Sequence, residues 1–161
     1  LEQEGYEWVG LNAFVRSGHK LAVAQQTGTI SYSALGYSEV SVAQVLGAGL
    51  GAVSEVGATV AQNYIDLDGW KMAIDQGQLA TQALIETSEF EIARRSVMRR
   101  LMCNAEVVID TVEQPAILEL ISSLELQGYT QQIDEAVQLT ELGRLALPHF
   151  WSDSSPQLRW L

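Results

Sequence analysis

Apolar residues change their spacing twice along this chain. From about residue 6 to residue 66 they come in short runs broken by Gly, Ser and Ala, with one helical pattern, Lys20 to Gln26, between extended segments. That alternation predicts β/α units of a parallel sheet. The strands are expected over Tyr6–Leu11 and Val42–Val53, with a weaker one over Val60–Tyr64. After Asp66 the spacing turns helical. Asp68 is placed to cap a helix carrying Trp70, Met72 and Ile74, which stops near Gly77. Residues 78 to 86 show no clear period and read as the connection to a second, smaller domain.

Ser88 followed by Glu91 forms a capping box, and Phe90, Ala93, Val97 and Leu101, with Met98 and Met102, then recur at helical spacing. Pro115 suits the first turn of a further helix whose Ile117, Leu118, Leu120, Ile121 and Leu124 face inward until Gly128. Tyr129 to Leu139 alternates weakly, as a hairpin does. Thr140 to Leu147 reads as a short closing helix ended by Pro148. Two helices, a hairpin and the phrase Leu139-Thr140-Glu141-Leu142-Gly143-Arg144-Leu145 make a winged-helix-like order. Residues 1–77 and 78–161 are therefore the expected domains.

Composition narrows the partners. The chain has 161 residues, 47% of them apolar, and a formal charge of −11 with only nine Lys and Arg. Such a charge repels phosphate backbones and anionic lipid, so nucleic acid and membrane are not expected partners. The predicted helix over residues 116–127 carries no Lys or Arg to grip a duplex. Arg94, Arg95, Arg99 and Arg100 gather on one predicted helix, where a solvated face paired with acids is the simplest account. No apolar run approaches the roughly 20 residues of a membrane span, and no secretory signal is visible. One cysteine, Cys103, fits a reducing cytoplasm. The opening Leu1-Glu2-Gln3-Glu4-Gly5-Tyr6 reads as the interior of a longer protein.

The strongest chemical hint is Val45-Leu46-Gly47-Ala48-Gly49-Leu50-Gly51-Ala52-Val53-Ser54, where glycines at every second position let backbone approach a ligand closely. Read as Gly47-x-Gly49-x-x-Ala52 it matches a dinucleotide fingerprint in letters, but no helix pattern follows and Asp66 arrives too early for a ribose. A buried strand that needs only close packing is the plainer account. His19 and His149 lack metal-ligand partners at suitable spacing, and no histidine lies near Cys103. No nucleophile elbow or P-loop is present.

Several phrases together resemble oxygen-independent coproporphyrinogen III oxidases, radical S-adenosylmethionine enzymes of haem biosynthesis. They are Gly5-Tyr6-Glu7-Trp8-Val9-Gly10, Leu21-Ala22-Val23-Ala24-Gln25-Gln26-x-Gly28, Gly36-Tyr37-Ser38, the Gly47–Ser54 stretch and Ala61-Gln62-Asn63. Arg94-Arg95-x-Val97, Leu101-Met102-Cys103-Asn104 and Leu139-Thr140-x-x-Gly143-Arg144-Leu145 continue them in family order. The resemblance is to the carboxy-terminal portion. It implies an α/β part, the closing strands of an incomplete β/α barrel, followed by the helical domain, with the amino-terminal barrel half as the missing partner.

In the family that half binds a [4Fe-4S] cluster through three cysteines, and the cluster cleaves S-adenosylmethionine to begin decarboxylation of porphyrinogen propionates. With one cysteine this chain is expected to hold no cluster and to be non-catalytic alone. By resemblance, Gly47, Gly49, Gly51 and Val53 form a wall against S-adenosylmethionine. Leu35 stands where the family has a hydrogen-bonding glutamine, and Asn12-Ala13 stand where it has Asp-His. The other reading is a non-catalytic haem- or porphyrin-binding module or chaperone.

Overall fold

The computed structural model describes residues 1–11, 13–33, 36–42, 44–108 and 115–153. Its elements divide into two compact units, residues 1–41 with 93–161, and residues 42–92. This division differs from the expected one at residue 77, because the second unit closes on its own sheet.

The first unit opens with β1 (Tyr6–Gly10) and β2 (Ala13–Arg16), an antiparallel ribbon in which Tyr6 faces Arg16 and Trp8 faces Phe14. Helix α1 (Lys20–Gln26) follows, as its apolar spacing predicts. His19 caps it, its Nδ1 accepting from the Leu21 N–H at 3.2 Å, and Ala22 and Ala24 are buried. Strands β3 (Ser31–Ser33) and β4 (Gly36–Ser38) form a second short antiparallel pair.

In the second unit, β5 (Val53–Val56), β6 (Thr59–Asn63) and β7 (Thr81–Glu86) make one antiparallel sheet in the order β5-β6-β7. Gly57, at φ 57°, takes the first place in the two-residue turn between β5 and β6. Helix α2 (Leu67–Asp75) lies between β6 and β7 in sequence. Its cap is Asp66, whose carboxylate accepts from the Gly69 N–H at 2.7 Å, and Asp68 falls in the first turn instead. Among the described residues, Val45, Val60, Ala73 and Ala80 are the buried apolar residues of this unit.

Helix α3 (Glu89–Asn104) starts at the expected capping box, with Ser88 Oγ accepting from the Glu91 N–H at 3.2 Å. It ends where Ala105 takes φ 57°, so that the Ala105 N–H still closes on Leu101 while its carbonyl accepts from Leu139 N–H at 2.8 Å. Strands β8 (Glu106–Val108), β9 (Thr130–Ile133) and β10 (Ala136–Leu139) form a sheet in the order β8-β10-β9. Helix α4 (Pro115–Leu126) begins at its proline, as predicted, and buries Ile117, Ile121 and Leu124. Leu118 is exposed and Leu120 half-buried, so the inward stripe is narrower than the sequence suggests. Met98, Leu101 and Met102 of α3 pack with Ile117, Ile121, Val107, Val137, Leu139 and Leu147. Each such side chain contributes about 1.5–3 kcal/mol of burial.

Four expectations are corrected. Every described strand pair is antiparallel, not parallel; the two-residue turn Gly57-Ala58 leaves β5 and β6 no other choice, while β6 and β7 pair antiparallel although α2 lies between them. Val42–Val53 does not form the expected strand: among its described residues before β5 only Val45 bridges, to Glu55, and β5 begins at Val53. Residues 78–86 are not merely a connection, since β7 occupies most of them and pairs with β6. Helix α5 (Glu141–Asp153) runs through Pro148 instead of ending there. No described helix is long and apolar enough to cross a membrane.

Candidate functional site

The glycine stretch doubles back toward β5. Val45 exchanges two backbone hydrogen bonds with Glu55, at 2.9 and 2.8 Å, and the chain then turns over at Gly49–Ala52. Gly47 lies so close to this return limb that a Cβ would collide with the Val53 backbone, and its N–H donates to Ser54 Oγ at 3.0 Å. Gly49 and Gly51 take φ of 104° and 67°, which explains glycine at both. The Gly51 N–H donates to the Tyr64 carbonyl at 2.8 Å, and the Gly49 carbonyl accepts from Asn63 Nδ2 at 2.8 Å.

The loop is thus a hydrogen-bonded turn, with the amides of Gly47 and Gly51 already engaged by protein atoms, not a nest of amides aimed at a phosphate. Only at Gly49 does the missing Cβ open on empty space beside a positive φ. Val53, half-buried, starts β5 opposite Gln62. Gly47, Gly49, Gly51 and Val53 therefore lie together on one loop and strand of the second unit. Leu35 and Asn12 lie outside the described residues.

A second polar constellation, absent from the sequence reading, ties the first unit together. Gln25 Nε2 donates to the carbonyls of Val9 and Cys103, each at 2.7 Å. Tyr37 Oη donates to the Met102 carbonyl at 3.2 Å and its ring meets Tyr32 edge-on, centroids 4.9 Å apart. Burial raises the pKa of both tyrosines; the Arg99 charge opposes it at Tyr32, and Cys103 adds to it at both. Burial also pushes the Cys103 thiol up to about 11, against the opposing Arg99 charge. A thiol held protonated is a poor nucleophile and metal ligand. These groups form a structural junction, and only the position of Gln25 on the inner side of α1 hinted at it.

Cavities of two kinds border the first unit among the described residues. One, of about 20 Å³ between Trp8, Gln25, Met102 and Arg144, has room for a water molecule and not for an organic ligand. The other is a groove of about 740 Å³ lined by apolar Leu118, Ile121 and Val137 and by acidic Glu125, Asp134 and Glu135. The arginine cluster does not form a single solvated face: Arg94 is buried, Arg95 and Arg99 are half-buried, and Arg100 is exposed. Among the described residues no group of His, Cys, Asp or Glu is arranged to hold a metal.

No family model matches the chain. Curated relatives do. Over 157 residues it is 29% identical to the oxygen-independent coproporphyrinogen III oxidase of Salmonella typhimurium, covering 91% of this chain and 34% of that protein. The Pseudomonas aeruginosa protein of the same name is 29% identical over 155 residues, with 90% and 34% covered. The solved coproporphyrinogen III oxidase of Escherichia coli, described as a radical SAM enzyme, matches with a TM-score of 0.79 and 28% identity. That match covers 92% of this chain and 36% of the solved one. The chain is similar to the carboxy-terminal portion of oxygen-independent coproporphyrinogen III oxidases. It spans about a third of the length of these relatives, and its mixed α/β fold with open sheets is theirs over that span.

Proposed function

We infer that this chain is the carboxy-terminal part of a coproporphyrinogen III oxidase-like radical enzyme, which decarboxylates porphyrinogen propionates to vinyl groups in haem biosynthesis. The observation that carries this reading is the end-to-end match to the Escherichia coli enzyme, 92% of the chain at a TM-score of 0.79. A [4Fe-4S] cluster does not fit these residues: it takes several thiolates, and the one cysteine is buried and protonated. That group belongs to the amino-terminal barrel half, and the chain alone is non-catalytic.

For S-adenosylmethionine the chain offers one wall. Gly49, open where a Cβ would stand, Gly51 and the half-buried Val53 present backbone and a small apolar side chain, while Gly47 sets the spacing between the two limbs of the loop. Leu46, Leu50, Ile65 and Leu79 are 83%, 49%, 59% and 88% exposed on the same unit, apolar surface of the kind the missing barrel half would cover. The sheet β8-β10-β9 with α3, α4 and α5 corresponds to the winged-helix-like module.

A chimera tests the reading. The amino-terminal two thirds of the Escherichia coli enzyme is joined in frame to this chain, the cluster is reconstituted without oxygen, and coproporphyrinogen III turnover is followed by chromatography. Vinyl product dependent on S-adenosylmethionine is expected. A chimera that folds, holds its cluster and cleaves S-adenosylmethionine, yet forms no vinyl product, would sink the proposal.

A further inference from the structure

The groove of about 740 Å³ on the first unit is lined from α3, β8, α4 and the β9–β10 hairpin. Helix α4 contributes Leu118, Ile121, Ser122 and Glu125, which are spaced as one face of a helix over about two turns. Ile121 and Val137 are buried, whereas Leu118 and Val108 are 38% and 58% exposed, so apolar surface reaches solvent here. A cleft of this size accepts several side chains of a partner at once.

The charge around that surface has one sign. Glu125, Asp134 and Glu135 are all exposed, and none forms an ion pair among the described residues. Asp134 and Glu135 are the two residues of the turn between β9 and β10, where Asp134 takes φ 54°. Among the described lining residues the one cation is the exposed Arg100, which pairs with none of the three carboxylates. The groove therefore joins exposed apolar side chains to carboxylates that have no cation of their own.

The form of the occupant follows from the sheet edge. Strand β9 is the outer strand of the order β8-β10-β9, but its Gln132 N–H already donates to Glu125 Oε1 at 3.0 Å. An added strand would have to displace that bond. A partner that enters with side chains, as a helix does, leaves it intact.

We propose that this groove receives an amphipathic helix of another protein, its apolar stripe lying on Leu118, Ile121 and Val137 and its Lys or Arg side chains meeting Asp134 and Glu135. Burial of the apolar stripe supplies affinity, and the two turn carboxylates select a basic helix over an acidic one. The surface belongs to the first unit and uses none of Gly47–Val53, so it does not rest on the proposed catalytic role.

The test is fluorescence anisotropy of the whole chain with three labelled synthetic peptides. One is an amphipathic helix of about 18 residues with Leu on one face and Lys on the other, the second has the same residues scrambled, and the third has Glu in place of Lys. The first is expected to bind at least about tenfold more tightly than the other two, and Asp134→Asn with Glu135→Gln, or Leu118→Ser alone, to lose at least about fivefold. Asp68→Asn with Asp75→Asn removes the same charge from α2 and is expected to leave binding within about twofold. Scrambled peptide binding as tightly as the amphipathic one, the turn variant within about twofold of the parent, an equal loss in the α2 variant, or no binding at any concentration would each overturn the proposal. So would sedimentation showing a dimer that Leu118→Ser makes monomeric, since a second copy would then fill the groove. Should either groove variant fail to give the parent's circular dichroism spectrum, the other variant and the peptide comparison decide.

Discussion

The Tyr37 hydroxyl donates to the Met102 carbonyl across 65 residues of sequence, at the place where Gly10 has no side chain. A Cβ on Gly10 would collide with both atoms, and Gly10 has a φ of 149°. Backbone conformation and space therefore demand glycine there independently. Gly10→Ala is expected to destabilise the first unit by at least about 2 kcal/mol, whereas Gly28→Ala, with nothing near its Cβ, meets only the cost of its φ of 69°. Urea unfolding of the two variants measures the difference, and equal midpoints would contradict this account.

Gln25 is expected to matter through its two donors, not its bulk. Gln25→Leu leaves the carbonyls of Val9 and Cys103 without their shared partner, at a cost of about 2–3 kcal/mol. Gln25→Glu is expected to be worse at neutral pH, since it sets a carboxylate against two carbonyl oxygens, and to recover in part on acidification as that carboxyl gains a proton. Thermal melts of both variants between pH 5 and about pH 8 check the sign.

The glycine loop separates packing from access. Gly47→Ala meets the Val53 backbone and is expected to lower the stability of the second unit by about 2 kcal/mol or more, while Gly49→Ala meets empty space and carries only the cost of its φ, about 1 kcal/mol. Within the chimera Gly49→Ala is expected to raise the KM for S-adenosylmethionine more than it lowers stability. A stability loss for Gly49→Ala matching that of Gly47→Ala would contradict the geometry.

Cys103 makes stability sensitive to alkali. Its thiol pKa rises from 9.0 to about 11 on folding, so the folded state holds its proton where the unfolded chain has released it. The contribution is complete below pH 9 and is lost progressively between pH 9 and about 11, reaching about 2–3 kcal/mol. Cys103→Ala is expected to flatten that part of the curve, leaving the buried tyrosines to act at higher pH. Urea midpoints at pH 8 and about pH 10.5 test it. Native Cys103 is also expected to react with thiol reagents far more slowly than unfolded chain.

Much of the secondary structure was readable because local chemistry decides it. Lys20–Gln26, the Ser88 cap, Pro115 and the hairpin before Leu139 each follow from spacing or a turn residue that acts within a few positions. Pairing was not readable in the same way. Val60 meets an antiparallel neighbour on both sides, one across a two-residue turn and one across the long connection that holds α2, so connection length alone does not announce the pairing, and the exposed Leu84 and half-buried Ile85 of β7 break the expected alternation. Pro148 shows the limit of local signals, since α5 runs through it although a proline tends to stop a helix. As for the candidate site, glycines at 47, 49 and 51 announced a close approach in the letters alone. That the close approach at Gly47 is to the protein's own Val53 required three dimensions.

One side-chain amide, that of Gln25, joins residue 9 to residue 103. Neither the first strand nor the end of α3 can open far without breaking it. In hydrogen exchange, the slowest amides of β1 and of the last turn of α3 are therefore expected to share one opening free energy, although more than half the chain separates them in sequence. Replacing Gln25 with leucine would let them exchange as two independent groups.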